Sequence, residues 1–227
     1  MSETTAALWL PHDRLQDLVD ALRASGRRCI GPRTRDGAIV YDVLTDVADL
    51  PAGAHDVQAP GRYRLDRSGS RRRFAWANGP QALKPLLFAP REPLWRVVRG
   101  DDGALQFGEV PEEVAPVAVL GVRACDLAAL ALHDRHFLQG RHADPYYARR
   151  RENLFVVAVG CSHPAATCFC ASTGDGPRPA QGYDVLLEEL DEGYVAHAGS
   201  APGRELLASL AIAPAGEAQL RLARAES

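Results

Sequence analysis

Four of the five cysteines lie between residues 121 and 177, and cysteine thiolates suit a soft metal centre. They are Cys125, Cys161, Cys168 and Cys170, with 35, 6 and 1 residues between successive members. Cys125 and Cys161 each follow an apolar run, whereas Cys168 and Cys170 lie in a segment rich in turn-forming residues. These positions leave the thiols available for a site instead of a core.

Parallel strands would bring these cysteines together. The apolar runs 117–120 and 154–159 predict buried strands, and the helical segment between them predicts a βαβ unit. The carboxyl ends of parallel strands share one edge of a sheet, so Cys125 and Cys161 should lie near each other. In extended backbone, residues i and i+2 point the same way, so Cys168 and Cys170 can address one object. We therefore expect four thiols at one site.

The cysteine spacing bears on which metal centre is bound. Structural zinc sites usually take cysteines in close pairs, about two to four residues apart, which is not the pattern here. A [4Fe-4S] cluster is larger and suits thiolates from separate loops, although these intervals differ from the common ferredoxin run. The spacing favours an iron-sulfur cluster and leaves structural zinc open.

Four neighbouring residues are further candidates for the site. Asp126 is predicted to be the N-cap of the helix after the first strand, with a role as oxygen ligand as the alternative. His163 is a reserve ligand, with surface or indirect placement as the alternative. Gly174 and Gly176 would let the backbone approach a cluster and offer amide donors to its sulfides, whereas the alternative is an ordinary turn before Pro177.

The remaining patterns predict one α/β domain over residues 1–227. Residues 1–115 form an irregular, short-stranded half, and residues 116–227 carry the βαβ unit in a small mixed or parallel sheet with flanking helices. Outside the βαβ unit, we predict a helix over 11–25, a strand pair around 35–37, a hairpin around 191–193, and helices beginning near 200 and 216.

Composition, the N-terminal sequence and the motifs present limit the partners, the location and the kind of activity expected for this chain. A net charge of −3 with 24% charged residues indicates neither a nucleic-acid nor a membrane partner. The N-terminus has no basic segment followed by an apolar one, and no apolar run approaches ~18 residues, so we expect a cytoplasmic protein. In that reducing compartment, cysteines serve metals or redox chemistry more often than disulfides. The common hydrolase and nucleotide-binding motifs are absent, so catalysis by this chain alone is not expected.

Several segments resemble one family. The chain is similar to the N-terminal part of the iron-sulfur β subunit of cytoplasmic sulfhydrogenases, which are nickel-iron hydrogenases, and of the A subunit of anaerobic sulfite reductase (the 4Fe-4S dicluster family). The resemblance covers nearly the whole chain, and residues 168–177 are its most specific part. The segments that carry it are Gly-Val-Arg-Ala-Cys-Asp-Leu at 121–127, Asp-Pro-Tyr-Tyr at 144–147, Arg-Glu-Asn at 151–153, Cys-Phe-Cys-Ala-Ser-Thr-Gly-Asp-Gly-Pro at 168–177 and Pro-Gly-Arg-Tyr-Arg-Leu at 60–65.

The resemblance implies an electron-transfer subunit with one [4Fe-4S] cluster. Such a subunit passes electrons between a partner subunit that binds flavin and NAD(P) and a hydrogenase or reductase catalytic subunit. Carried over residue by residue, it indicates the same four cysteines as ligands. Ala124 departs from the family, which commonly has proline there. Family members continue into a ferredoxin-like domain with two clusters, so a chain ending at Ser227 is expected to be truncated or shortened.

Two other functions stay open at this point. One is a subunit-docking scaffold in which the four cysteines hold structural zinc or no metal. The other is a thiol-disulfide protein using Cys168 and Cys170, although C-x-C differs from the usual C-x-x-C motif at a helix start. Metal content separates the first from an electron-transfer module, and substitution of Cys125 separates the second.

Overall fold

The structure is a computed structural model that describes residues 6–77, 79, 83–110 and 114–226. The first five residues, Ser227 and small parts of the predicted irregular half lie outside this description. The strands are β1 Leu8–Pro11, β2 Arg28–Arg35, β3 Ala38–Val43, β4 Ala54–Ala59, β5 Arg62–Arg67, β6 Trp95–Arg99, β7 Leu105–Glu109, β8 Val117–Val122, β9 Leu154–Val159, β10 Val185–Glu189 and β11 Gly193–Ala198. The helices are α1 Leu15–Ala24, α2 Lys84–Leu87, α3 Ala124–Phe137, α4 Pro145–Glu152, α5 Cys170–Thr173, α6 Ala201–Ser209 and α7 Glu217–Glu226, with 3-10 turns at His12–Arg14 and Val47–Asp49.

The main sheet has seven strands in the order β1-β11-β10-β9-β8-β2-β3. Its four central strands, from β10 to β2, run parallel to one another. The outer strands β11, β1 and β3 are added antiparallel. The predicted α/β fold with a mixed sheet and flanking helices is therefore confirmed, including the βαβ unit of β8, α3 and β9.

Both faces of the sheet are covered. All six residues of β9 are buried, as expected for a strand that is covered on both faces of the sheet. Alternate residues serve opposite faces: Phe155 and Val157 pack in a core with residues of α1 and α6, whereas Val156 packs with residues of α3 and α4. Among the described residues, no helix has both the length and the apolar character needed to span a bilayer.

Most of the other helices and strand pairs predicted from the sequence are present in the structure. The predicted first helix is preceded by a 3-10 turn and begins at Leu15, and the helices after 200 and 216 are α6 and α7. Among the described residues of 44–115, the strands form two separate hairpins, β4–β5 and β6–β7, as the short-stranded pattern predicted. Residues 8–43 are more regular than the rest of that half, since β1, β2 and β3 belong to the main sheet.

Candidate metal centre

Two of the predicted cysteines follow neighbouring parallel strands. Cys125 is the second residue of α3, directly after β8, and Cys161 lies two residues beyond the end of β9. β8 and β9 pair in parallel up to Val122 and Ala158. Cys161 is close enough to Cys125 to be one of the groups that raise the pKa of the Cys125 thiol. Both therefore lie at the carboxyl edge of the sheet, as predicted.

The loop with the other two cysteines returns to this edge. Cys161 donates its backbone N–H to Pro177 O at 3.3 Å. A Cβ added to Gly176 would lie 3.3 Å from Cys170 Sγ and 3.2 Å from Ala124 Cβ, so Cys170 packs beside the first turn of α3. Cys168 is exposed, and its N–H donates to Ala165 O at 3.0 Å. Three cysteine segments thus meet, with Cys168 on the outer part of their loop.

These segments offer the donor chemistry of a thiolate-bound centre, although the thiols are not arranged around a common point. Four free cysteines belong to one edge of the sheet, each exposed or half-buried, so all are accessible to a metal. Within the described part of the chain, no three His, Cys, Asp or Glu side chains are arranged to hold a metal ion as they stand. Binding would therefore require the thiols, above all Cys168, to turn towards one another.

The thiol of Cys125 is protonated at neutral pH in this arrangement. Partial burial, the carboxylate of Asp126 and the nearby Cys161 raise the pKa of Cys125 to about 11, although the residue reaches the surface. A cation has to displace the proton before this sulfur can become a ligand.

The prediction that Asp126 caps α3 is wrong in position. The helix begins at Ala124, so Asp126 is its third residue and Arg123 is the N-cap. The Asp126 carboxylate accepts the backbone N–H of Arg123 at 3.0 Å, the reach-back contact that an acidic residue makes at this position. The N-cap was predicted at the wrong position because an aspartate directly before an apolar run is also a common N-cap pattern.

His163 contacts a different part of the chain. Its Nε2 lies 3.1 Å from the backbone oxygen of Asp56 in β4 and 3.9 Å from the Asp56 carboxylate. The imidazole therefore links the loop after β9 to the β4–β5 hairpin. This contact favours a position in which His163 supports the surrounding loop over the alternative role of a reserve metal ligand.

The structure requires glycine at the two loop positions 174 and 176 for different physical reasons. Gly174 adopts φ +74° at the end of α5, and a Cβ there would meet nothing within 4 Å, so its turn conformation explains it. Gly176 is needed for close approach, because a side chain would press on Cys170 and Ala124. Of the two, Gly176 brings backbone next to a predicted ligand.

Arg123 is a residue of this site that sequence reasoning missed. It lies between β8 and α3 and is 1% exposed. Its guanidinium donates to the backbone oxygens of Gly160, Phe74 and Trp76. No sequence pattern distinguishes it from the many exposed arginines of this chain, since its partners are carbonyls distant in sequence.

An ion-pair cluster attaches the end of the cysteine loop to the sheet. Arg178 donates to the buried carboxylate of Glu188 in β10 at 2.7 Å, and His197 of β11 donates to it at 2.6 Å. Burial alone would raise the pKa of Glu188, but these two partners outweigh it and lower the pKa to about 2. The carboxylate is therefore held ionised in the folded chain.

This cluster predicts loss of stability in acid. Glu188 has a lower pKa folded than unfolded, so its stabilisation is present above its ordinary pKa of 4.5 and is lost as the pH falls towards 2. We expect Glu188→Gln to lower the free energy of unfolding at pH 7 by on the order of 2–3 kcal/mol and to flatten its decline below pH 5. Urea unfolding at several pH values measures both effects. An unchanged acid profile in the variant would contradict this role.

Comparison with known proteins relates part of the chain to one enzyme subunit. No protein-family model matches the chain. A stretch of 128 residues, 55% of this chain, is 30% identical to the sulfhydrogenase 2 subunit beta of Pyrococcus furiosus. The match covers 34% of that subunit, so the chain spans about a third of the length of this relative. Over just more than half of its length, the chain is thus similar to the beta subunit of a sulfhydrogenase.

Proposed function

We propose that this chain is an electron-transfer module that binds one [4Fe-4S] cluster through Cys125, Cys161, Cys168 and Cys170. The observation that carries the proposal is the meeting of three cysteine segments at the carboxyl edge of β8 and β9, beside Gly176. The similarity to a sulfhydrogenase beta subunit supports a role as a subunit of a hydrogenase-type oxidoreductase. It does not bear on the cluster itself.

The bound cluster would supply one-electron redox chemistry at this edge. The chain's own residues hold, shield and tune it. The four thiolates are its ligands, and the N-terminal end of the fourteen-residue helix α3 places partial positive charge beside Cys125. The backbone of residues 171–177 offers amide donors to sulfides, with Gly176 allowing the close approach. Burial and these donors together set the reduction potential.

The partners in this proposal are other subunits of a cytoplasmic complex. One binds flavin and NAD(P), and the other is the hydrogenase or reductase catalytic subunit. In this arrangement the chain itself breaks no substrate bond and only carries electrons between the two.

Metal analysis of anaerobically purified protein tests the proposal. We expect about four iron and four sulfide per chain, with a charge-transfer band near ~400 nm that bleaches on reduction. Zinc near one per chain, with stability lost to chelator and no redox signal, would instead support the docking scaffold. Iron near zero after reconstitution with iron and sulfide would overturn the cluster proposal.

A further inference from the structure

The buried guanidinium of Arg123 lies between the two cysteine-bearing strand ends. Arg123 is two residues before Cys125, and its Nη1 donates to the backbone oxygen of Gly160 at 2.8 Å. Gly160 directly precedes Cys161. One hydrogen bond therefore joins the segments that carry the first and second cysteines.

The Arg123 side chain also binds a third segment, residues 74–76. Nη2 donates to Phe74 O at 2.5 Å and to Trp76 O at 3.1 Å, and the guanidinium carbon lies 5.0 Å from the centre of the Trp76 ring. The backbone of Arg123 is itself fixed, because its N–H is bound by Asp126 in the first turn of α3. The guanidinium thus connects α3, the end of β9 and residues 74–76 through one planar group.

Burying this group is costly, which argues against a role as simple core filler. Arg123 Nε is buried without a hydrogen-bond partner among the described residues. Removing a charged group from water is strongly unfavourable unless the group is paired and fully hydrogen-bonded. Glu189, 5% exposed, is held by the N–H groups of Arg73 and Phe74 and interacts electrostatically with Arg123, but burial raises the pKa of this carboxyl and so limits the charge that it offers. An apolar side chain would fill the same space at lower cost.

We propose that Arg123 is a positioning residue for the cysteine site, holding the Cys161 segment against the start of α3 so that Cys161 stays beside Cys125 in the metal-free chain. The purpose of this arrangement rests on the proposed function. The arrangement itself belongs to the apo protein and is measurable there.

Thiol cross-linking in the metal-free full chain tests the proposal. Cys29→Ala, Cys168→Ser and Cys170→Ser leave Cys125 and Cys161 as the reactive pair. A short bifunctional maleimide then forms either an intramolecular cross-link or two single adducts, and mass spectrometry gives their ratio. We expect Arg123→Met to lower the cross-linked fraction roughly tenfold, the factor that corresponds to losing a hydrogen bond to a charged group. Arg123→Lys keeps one charged donor and should recover part of it.

Arg27→Met is the matched control. Arg27 also stacks on a buried aromatic ring, with its guanidinium carbon 5.0 Å from the centre of Phe155, but at the opposite end of β9. We expect this variant to keep the parental cross-linked fraction. The thermal midpoint of each protein shows whether a change in cross-linking merely follows a change in stability.

The outcomes separate this inference from the proposed function. A folded Arg123→Met protein with the parental cross-linked fraction would overturn the positioning role. Unfolding of both Arg123→Met and Arg123→Lys would also overturn it, because the arginine would then serve the fold as a whole. Absence of iron in the parent protein would overturn the cluster proposal while leaving the cross-linking result intact.

Discussion

Cys125→Ala should abolish iron binding while leaving the fold almost unchanged. The residue is exposed at the second position of α3, where alanine is a good helix former, so we expect a change in unfolding free energy within about 0.5 kcal/mol. A four-thiolate cluster that loses one ligand should fall from about four iron per chain to near zero. Iron and sulfide analysis after anaerobic reconstitution, with urea unfolding of the apo protein, measures both quantities.

Cys29→Ala provides the opposite pattern. Cys29 is 3% exposed in the core and pairs with Ala118, near the amino end of β8 and away from the site. We expect a loss of about 1–2 kcal/mol of stability and full retention of iron. Undiminished iron in Cys125→Ala would remove that cysteine from the ligand set. Thiol-disulfide activity that survives Cys125→Ala, in a protein without iron, would instead support a Cys168–Cys170 dithiol.

Trp76→Ala should be among the most destabilising single substitutions in the described chain. The indole is 0% exposed, its Nε1 donates to Arg73 O at 2.8 Å, and the Arg123 guanidinium stacks on its ring. Removing it leaves a cavity and exposes a buried charge, for which we expect a loss of roughly 3–5 kcal/mol. Urea unfolding followed by far-UV circular dichroism gives the difference, which is a large fraction of a typical domain's stability.

Trp95→Ala is the control for the loss of an indole ring as such. Trp95 lies in the β6–β7 hairpin and is 69% exposed, with Phe107 as its ring neighbour at 6.5 Å. We expect its substitution to change the free energy of unfolding by no more than about 0.5 kcal/mol. If the two variants lost similar unfolding free energy, burial of the Trp76 ring would not be a main source of stability for residues 74–76.

Local patterns were sufficient for the central βαβ unit and for the edge of the sheet at which Cys125 and Cys161 lie, but not for β1 at one end of the sheet. The apolar runs before Cys125 and Cys161 are long enough to be buried strands, and the helical segment between them requires a parallel crossover. Parallel strands end at one edge, so the proximity of these two cysteines follows from chain topology alone. The β10–β11 hairpin and α6 were equally predictable because turn and cap residues mark their boundaries.

The sequence by itself therefore determined an α/β fold and the sheet edge at which its cysteines collect, because strand periodicity and turn chemistry are local properties. The tertiary structure alone decided which groups support that edge. Arg123 is buried because three carbonyls from distant segments converge on it, and His163 faces β4 because the hairpin packs there. Such partners depend on how segments far apart in the chain pack, and no local pattern encodes them.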